Sequence, residues 1–148
     1  MDIVFLPAKE THDLRHSVLR PAQPRSSVLY VGDDAETSFH LGIKFENQII
    51  AVSTYHLESS PLFPNTERAY RLRGMAVEPL FRRQKMAERM FLFAEQELKH
   101  RDCDLLWFHA RESAFPFYEK IQCHYASDMF EIEGIGPHKT MYKRILSR

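Results

Sequence analysis

Tyr70-Arg-Leu-Arg-Gly-Met-Ala-Val-Glu-Pro-Leu-Phe-Arg-Arg-Gln-Lys-Met-Ala-Glu-Arg-Met90 decides the reading of this chain. It reads as a strand that runs through a short basic turn into an amphipathic helix. Arg71 and Arg73 alternate with Leu72 and Gly74, so the two arginines share one strand face. Pro79 ends the strand because it cannot donate to a ladder. Ala87, Met90, Phe91, Ala94 and Leu98 recur at three- and four-residue steps, which predicts a helix over 83–99. A helix N-terminus carries unpaired N–H groups and a partial positive charge. Behind a basic turn it becomes an anion site suited to a phosphate or pyrophosphate. Arg82 and Arg83 fit that use, since cations are unfavourable at a helix start without an anion beside them. A phosphorylated cofactor is the expectation.

Outward from this stretch, Asp104–Ala110 is a nearly continuous apolar run, expected as a strand buried on both faces. Ser113–Ile121 is expected as a short helix, with Ser113 as N-cap and Pro116 in its first turn. Strands are expected at 124–132 and 138–145, around Glu133-Gly-Ile-Gly-Pro137. Upstream, 2–6 reads as a strand and 10–20 as a helix stopped by Pro21 and Pro24. An extended piece is expected at 28–31. The runs 38–45 and 49–57 form a hairpin through Glu46-Asn-Gln48, and 59–66, with two prolines, is a loop. The order is β-α-β-β-β-α-β-α-β-β, with parallel neighbours in the middle and antiparallel ones at both ends. Met90, Phe91 and Phe93 are expected in the core.

The whole chain narrows the function classes. Its 148 residues suffice for one domain, 1–148, with a sizeable core. Twenty Lys and Arg balance twenty Asp and Glu, so no global field draws nucleic acid or membrane. No apolar run reaches the length of a membrane span. Met1-Asp-Ile-Val-Phe-Leu-Pro7 lacks the basic start and long apolar core of a signal peptide, so a cytoplasmic place is expected. Cys103 and Cys123 are not in metal-ligand spacing, and neither are His12, His16, His56 and His100. Reduced thiols and no metal are the expectation.

The basic turn lacks both the Gly-x-x-x-x-Gly-Lys-Ser/Thr pattern and the Gly-x-Gly-x-x-Gly fingerprint. It has Arg82-x-x-Lys85-x-Ala87 directly after a strand. Leu72-Arg-Gly-Met-Ala-Val77, Ala114-Phe-Pro-Phe-Tyr-Glu-Lys120 and Gly134-Ile-Gly-Pro-His138 followed by Met141 stand in order around it. His40-Leu-Gly42, Trp107 and Ala110-Arg111 complete the pattern. In these segments the chain resembles the GNAT acetyltransferase superfamily, and a branch of small bacterial members within it. Lys85 stands at the family's loop glycine, Gln122-Cys123 at its Gly-Phe, and His109 where the branch often has asparagine.

The resemblance implies an α/β fold, α+β in some schemes: a mixed, twisted sheet flanked by helices, with the fourth and fifth strands (69–77 and 104–110) splayed. It implies direct transfer of an acetyl group from acetyl-coenzyme A to the amine of a small molecule or peptide, with no metal. Met75, Ala76 and Val77 would pair with the pantetheine arm. A backbone N–H near Met75 or Ala76 would polarise the thioester carbonyl. Arg82, Arg83, Gln84, Lys85, Met86 and Ala87 would hold the pyrophosphate. Tyr118 would protonate the leaving thiolate. His138 is the candidate base because a histidine titrates near neutrality. Arg71, Arg73, His109 and Arg111 are candidates for the acceptor side, and a homodimer is compatible with all of this. The alternatives are a coenzyme-A-binding sensor without turnover, and a transferase of longer acyl groups or with a hydroxyl acceptor.

Overall fold

A computed structural model describes residues 1–145. It opens with β1 (Asp2–Phe5), a 3-10 turn (Ala8–Thr11), α1 (His12–Leu14), a π-helical turn (Arg15–Leu19) and a second 3-10 turn (Arg25–Val28). There follow β2 (Phe39–Phe45), β3 (Gln48–Leu57), β4 (Ala69–Val77), a 3-10 turn (Pro79–Phe81) and α2 (Met86–His100). The last third holds β5 (Leu105–Arg111), α3 (Phe115–Lys120), β6 (His124–Tyr125), β7 (Phe130–Ile132) and β8 (Gly136–Arg144). This is the expected α/β class, a mixed, twisted sheet flanked by helices.

The residues fall into two compact units, Met1–His56 with Leu72–Glu97, and Leu57–Arg71 with Leu98 onward. In the first unit the strands lie in the order β1-β2-β3-β4. β1 and β2 are antiparallel, with Ile3 opposite Ile43. β2 and β3 form the expected hairpin, closed where Phe45 faces Gln48. Its two-residue turn has Glu46 at φ 49 and Asn47 at φ 65. Positive φ at both central positions matches the twist of the flanking strands. One core cluster joins Ile43, Ile50, Ala51, Met86 and Met90, flanked by Met75, Val77 and Phe81. A second joins Leu6, Leu14, Val52 and Ala76. Full burial of the Ile, Leu, Val and Met side chains among them contributes about 1.5–3 kcal/mol each.

In the second unit the order is β4-β5-β8-β6, with β7 also on β8. β4 and β5 are parallel over Ala69–Arg71 and Leu105–Trp107. β5 and β8 are antiparallel from Leu105 opposite Arg144 to Arg111 opposite His138. Leu105, Leu106, Trp107 and Phe108 are all buried, as a strand covered on both faces requires.

Five expectations are corrected. The 10–20 helix is helical but changes pitch, from 3-10 to α to π. Its widest turn begins at Arg15, a fully buried side chain held by residues far along the chain, so tertiary contacts override local pitch. Where the 28–31 piece was expected extended, 25–28 closes a 3-10 turn. The 124–132 strand splits into β6 and β7. Between Tyr125 opposite Met141 and Phe130 opposite His138, four residues face two, and the Thr140 N–H turns to Ser127 Oγ at 2.8 Å. Ser113 does not cap α3; it lies in a 3-10 turn, and the position before the helix is Ala114, whose side chain makes no capping bond. Phe93 is 37% exposed, edge-on to Phe5, while Met90 and Phe91 are fully buried.

Candidate functional site

The basic turn lies in the first unit. β4 ends as the Glu78 N–H donates to Ile50 O at 2.7 Å. The Pro79–Phe81 turn follows, tied by Phe81 N–H to Glu78 O at 2.8 Å. Arg83 and Lys85 then take left-handed backbone, φ 65 and 62. Two such residues hold the chain out of the helix, so α2 begins at Met86 and the expected start at 83 is corrected. The first intrahelical acceptor is Lys85 O, 3.0 Å from Arg89 N. Lys85 is therefore the N-cap, and the family's glycine at this place answers a real need for φ > 0. Arg82, Arg83, Gln84 and Lys85 are exposed, Met86 is a core anchor and Ala87 is half-buried. A core-anchored helix start with exposed cations before it fits a pyrophosphate.

Immediately upstream, β4 carries a break. Gly74 sits at φ 61 in mid-strand, a bulge-like geometry that re-aims the backbone beside Met75 and Ala76. Against Gly74 lies a buried polar network that the sequence reading missed. A Cβ on Gly74 would stand 3.0 Å from Arg15 Nε and 3.3 Å from the Tyr30 ring.

Arg15 is the centre of that network. Its Nη1 donates to Val28 O at 2.9 Å and Asp33 Oδ2 at 2.7 Å. Its Nη2 donates to Asp33 Oδ1 at 3.1 Å and Thr54 Oγ1 at 2.7 Å. The Thr54 hydroxyl, already accepting, gives its hydrogen to His40 Nδ1 at 2.7 Å. His40 Nε2–H donates to Asp33 O at 2.9 Å, and the circuit closes. His56 Nε2–H donates to Asp33 Oδ1 at 2.9 Å. Burial opposes charge on Asp33, yet the bonds from His56 and Arg15, with the charge of Arg15, hold its carboxyl well below the usual range. Burial also pulls the His40 pKa down. Two buried atoms of this network end without a partner, Arg15 Nε and His56 Nδ1. Arg73 lies over the Tyr30 ring at 3.9 Å, and Arg15 over the same ring at 4.1 Å.

The second unit holds the remaining candidates. Tyr118 is buried against Phe108, ring centroids 4.4 Å apart, and Phe117 at 5.0 Å. His138 is buried opposite Arg111. Its Nδ1 donates to Gly136 O at 2.8 Å, so the neutral ring keeps its lone pair on Nε2. Phe130 stacks on His138 at 6.1 Å and meets the His109 ring edge-on at 5.1 Å. His109 Nδ1 lies 2.9 Å from Thr140 Oγ1. His109, Arg111 and His138 thus gather at one end of β5 and β8. Arg71 is already engaged: Nη1 donates to Glu58 Oε2 at 3.1 Å, and the guanidinium lies 4.9 Å over Trp107. Arg71 and Arg73 therefore rest on separate aromatic partners. Among the described residues, no group of three or more His, Cys, Asp or Glu could hold a metal ion.

The profile of the acetyltransferase (GNAT) family matches residues 8–122. The chain belongs to that family. An uncharacterized N-acetyltransferase of Bacillus subtilis (strain 168), YitI, is 33% identical over 145 residues, 98% of this chain and 97% of the relative. Solved GNAT structures share the fold at lower identity. An aminoglycoside 6'-N-acetyltransferase complexed with coenzyme A has TM-score 0.78 at 14% identity, covering 100% of this chain and 99% of that one. A putative N-acetyltransferase from Lactobacillus plantarum has TM-score 0.80 at 15% identity, covering 98% of each. In this GNAT acyltransferase the matched span takes in the basic turn, the Asp33 network and Tyr118, and stops before His138.

Proposed function

We propose that this chain is a single acetyltransferase domain, acting in the cytoplasm, that moves an acetyl group from acetyl-coenzyme A directly to an amine of a small molecule or peptide. The observation that carries the reading is the exposed turn Arg82–Lys85, set by two left-handed residues onto the first turn of a core-anchored helix. Two arginines and a lysine there meet the charge of a pyrophosphate, and the first-turn N–H groups of α2 supply directional bonds. The break at Gly74 supports the reading that Met75–Val77 receives the pantetheine arm.

The chemistry needs three things of this chain. The thioester carbonyl must meet a fixed donor as charge develops, a role for the backbone near Met75 and Ala76. The leaving thiolate must gain a proton, which the Tyr118 hydroxyl can give. Burial against Phe108 supports that role, because a donor in a low-dielectric setting binds developing charge strongly. The amine must lose a proton to a base, and His138, whose Nε2 is left outside the bond to Gly136 O, is the candidate for it in this unit. Arg111 and His109, beside His138, are read as acceptor-side residues, as are Arg71 and Arg73.

Calorimetry with acetyl-coenzyme A tests the reading. Wild-type protein should bind it, Arg82→Ala and Arg83→Ala should each weaken binding by about tenfold or more, and Lys85→Gly should retain it. Unchanged affinity in both arginine variants would remove the pyrophosphate from this turn. Turnover across an amine panel then separates an enzyme from a coenzyme sensor, and a panel of acyl donors fixes the chain length.

A further inference from the structure

Histidine 56 ends the Asp33 network with one nitrogen uncommitted. Asp33 can only accept, so in the neutral tautomer the bond at 2.9 Å places the imidazole hydrogen on Nε2 and the lone pair on Nδ1. That Nδ1 is buried and has no partner. His40 differs, since Thr54 holds its Nδ1 and Asp33 O holds its Nε2. A carboxylate that orients an imidazole and leaves the far nitrogen basic is the arrangement used to accept protons from nucleophiles. The second unpartnered atom, Arg15 Nε, points at Gly74, the residue before Met75–Val77. Through Arg15 the network therefore reaches Gly74, one residue before the backbone assigned above to the thioester.

We infer that His56, oriented by Asp33, accepts the proton released by the attacking amine, through one water at Nδ1. This rests on the acetyl-transfer reading. As the amine nitrogen forms its bond to the acetyl carbon, the carbon–sulfur bond breaks and its electron pair leaves on sulfur. The sulfur is protonated by a separate acid. The amine proton passes to the water, the water gives one to His56, and the imidazolium later returns it to solvent. Asp33 and Arg15 are positioning residues. Two bonds from Arg15 keep Asp33 ionised, so the proton stays on the ring. The groups facing His56 are Asp33, Arg15 and His40 around the same carboxylate, the Gly32 backbone, and Tyr30 edge-on at 6.5 Å.

The test uses His56→Gln, whose amide N–H still donates to Asp33 but which has no basic nitrogen. Acetyl-coenzyme A is supplied with water as acceptor, and with a panel of amino acids, polyamines, amino sugars and peptide N-termini. The expected result is a fall in kcat of about 10²-fold or more and loss of the acid limb of the kcat/KM profile. The KM and calorimetric affinity for acetyl-coenzyme A should stay within about twofold, since the donor site is untouched. Full turnover with the acid limb intact in His56→Gln overturns the inference, most directly if His138→Gln shows the loss instead. Nitrogen NMR of the wild-type imidazole is the second measurement, and it does not need the variant to fold. A hydrogen on Nδ1 at neutral pH overturns the inference, and a hydrogen on Nε2 supports it. Wild-type protein that binds no acetyl-coenzyme A would overturn the transfer reading itself, a different failure from these.

Discussion

Asp33→Asn would leave the Arg15 guanidinium charged at 0% exposure, with every bond that the carboxylate accepts from it turned into a weaker one or a clash between N–H groups. Breaking a buried pair from one side costs about 3–5 kcal/mol, because the surviving charge is no longer compensated. Asparagine keeps one side-chain oxygen, so either His56 Nε2–H, at 2.9 Å in the wild type, or Arg15 then faces an N–H group. Unfolding entropy of about 2.1 cal/mol/K per residue gives roughly 0.3 kcal/mol/K for a chain of 148 residues. The expected drop in Tm is therefore about 10–16 °C, against a total stability of about 5–15 kcal/mol. Thermal melts followed by circular dichroism measure it. A control comes from Arg25 and Asp13, which also pair but stand 57% and 89% exposed. Asp13→Asn should change stability by no more than about 0.5 kcal/mol. A double change, Arg15→Met with Asp33→Asn, should recover part of the loss, since it takes away the stranded charge. If Asp33→Asn melts within about 3 °C of the wild type, the network does not hold the fold as argued.

Stability should fall as pH drops, in two steps. His40, whose folded pKa lies below its ordinary 6.5, takes up its proton more readily when unfolded, so its contribution declines below about pH 6.5. Asp33, depressed in the fold, adds stability above 3.8 that is lost as pH falls toward its folded value; urea titrations from pH 8 to 3 that stay flat would contradict both. Lys85→Gly should leave the melting temperature unchanged or raise it by up to about 3 °C, since a left-handed φ of 62 strains lysine and not glycine. Gly74→Ala should cost about 1–3 kcal/mol through its φ of 61 and a Cβ at 3.0 Å from Arg15 Nε, read by chemical denaturation. Tyr118→Phe keeps the ring against Phe108 and should lower kcat by about 10²-fold with KM little changed; equal kcat would leave Tyr118 as packing.

Periodicity and punctuation carried the β-strands and α2, because those elements follow from neighbours in sequence. Ala87, Met90, Phe91, Ala94 and Leu98 bury the face that their spacing marks, apart from the half-buried Ala87. The basic turn was legible as a charge cluster, but its shape was not. A helix start at 83 follows from propensity, and only the left-handed Arg83 and Lys85 move it to Met86. The break between β6 and β7 is held by Ala126 N–H on Thr140 O and by the Ser127 hydroxyl under Thr140 N–H, and no local pattern announces it. The Asp33 network was invisible for a plainer reason. Arg15, Asp33 and His56 lie 18 to 41 positions apart, as their numbering shows, and each alone resembles an ordinary surface residue. Only the burial of an arginine, which no spacing predicts, reveals that they act together.

The hydrogen-bond circuit through Arg15, Thr54, His40 and Asp33 has a direction, and a direction constrains inheritance. Each hydroxyl or imidazole in it donates one way only, so Thr54→Val stops it while Thr54→Ser lets it pass. Residues 20–38 hold no strand and only one 3-10 turn, yet Asp33 and Val28 are fastened inside by Arg15. The segment behaves as a cassette fastened at Gln23 by His16 and at Val28 and Asp33 by Arg15. Its exposed positions, such as Leu29, Val31 and Glu36, are free to diverge between relatives or to be exchanged in the laboratory. A graft that carries new residues at those places should fold with wild-type stability if it keeps aspartate at 33, and should melt lower if that one side chain is lost.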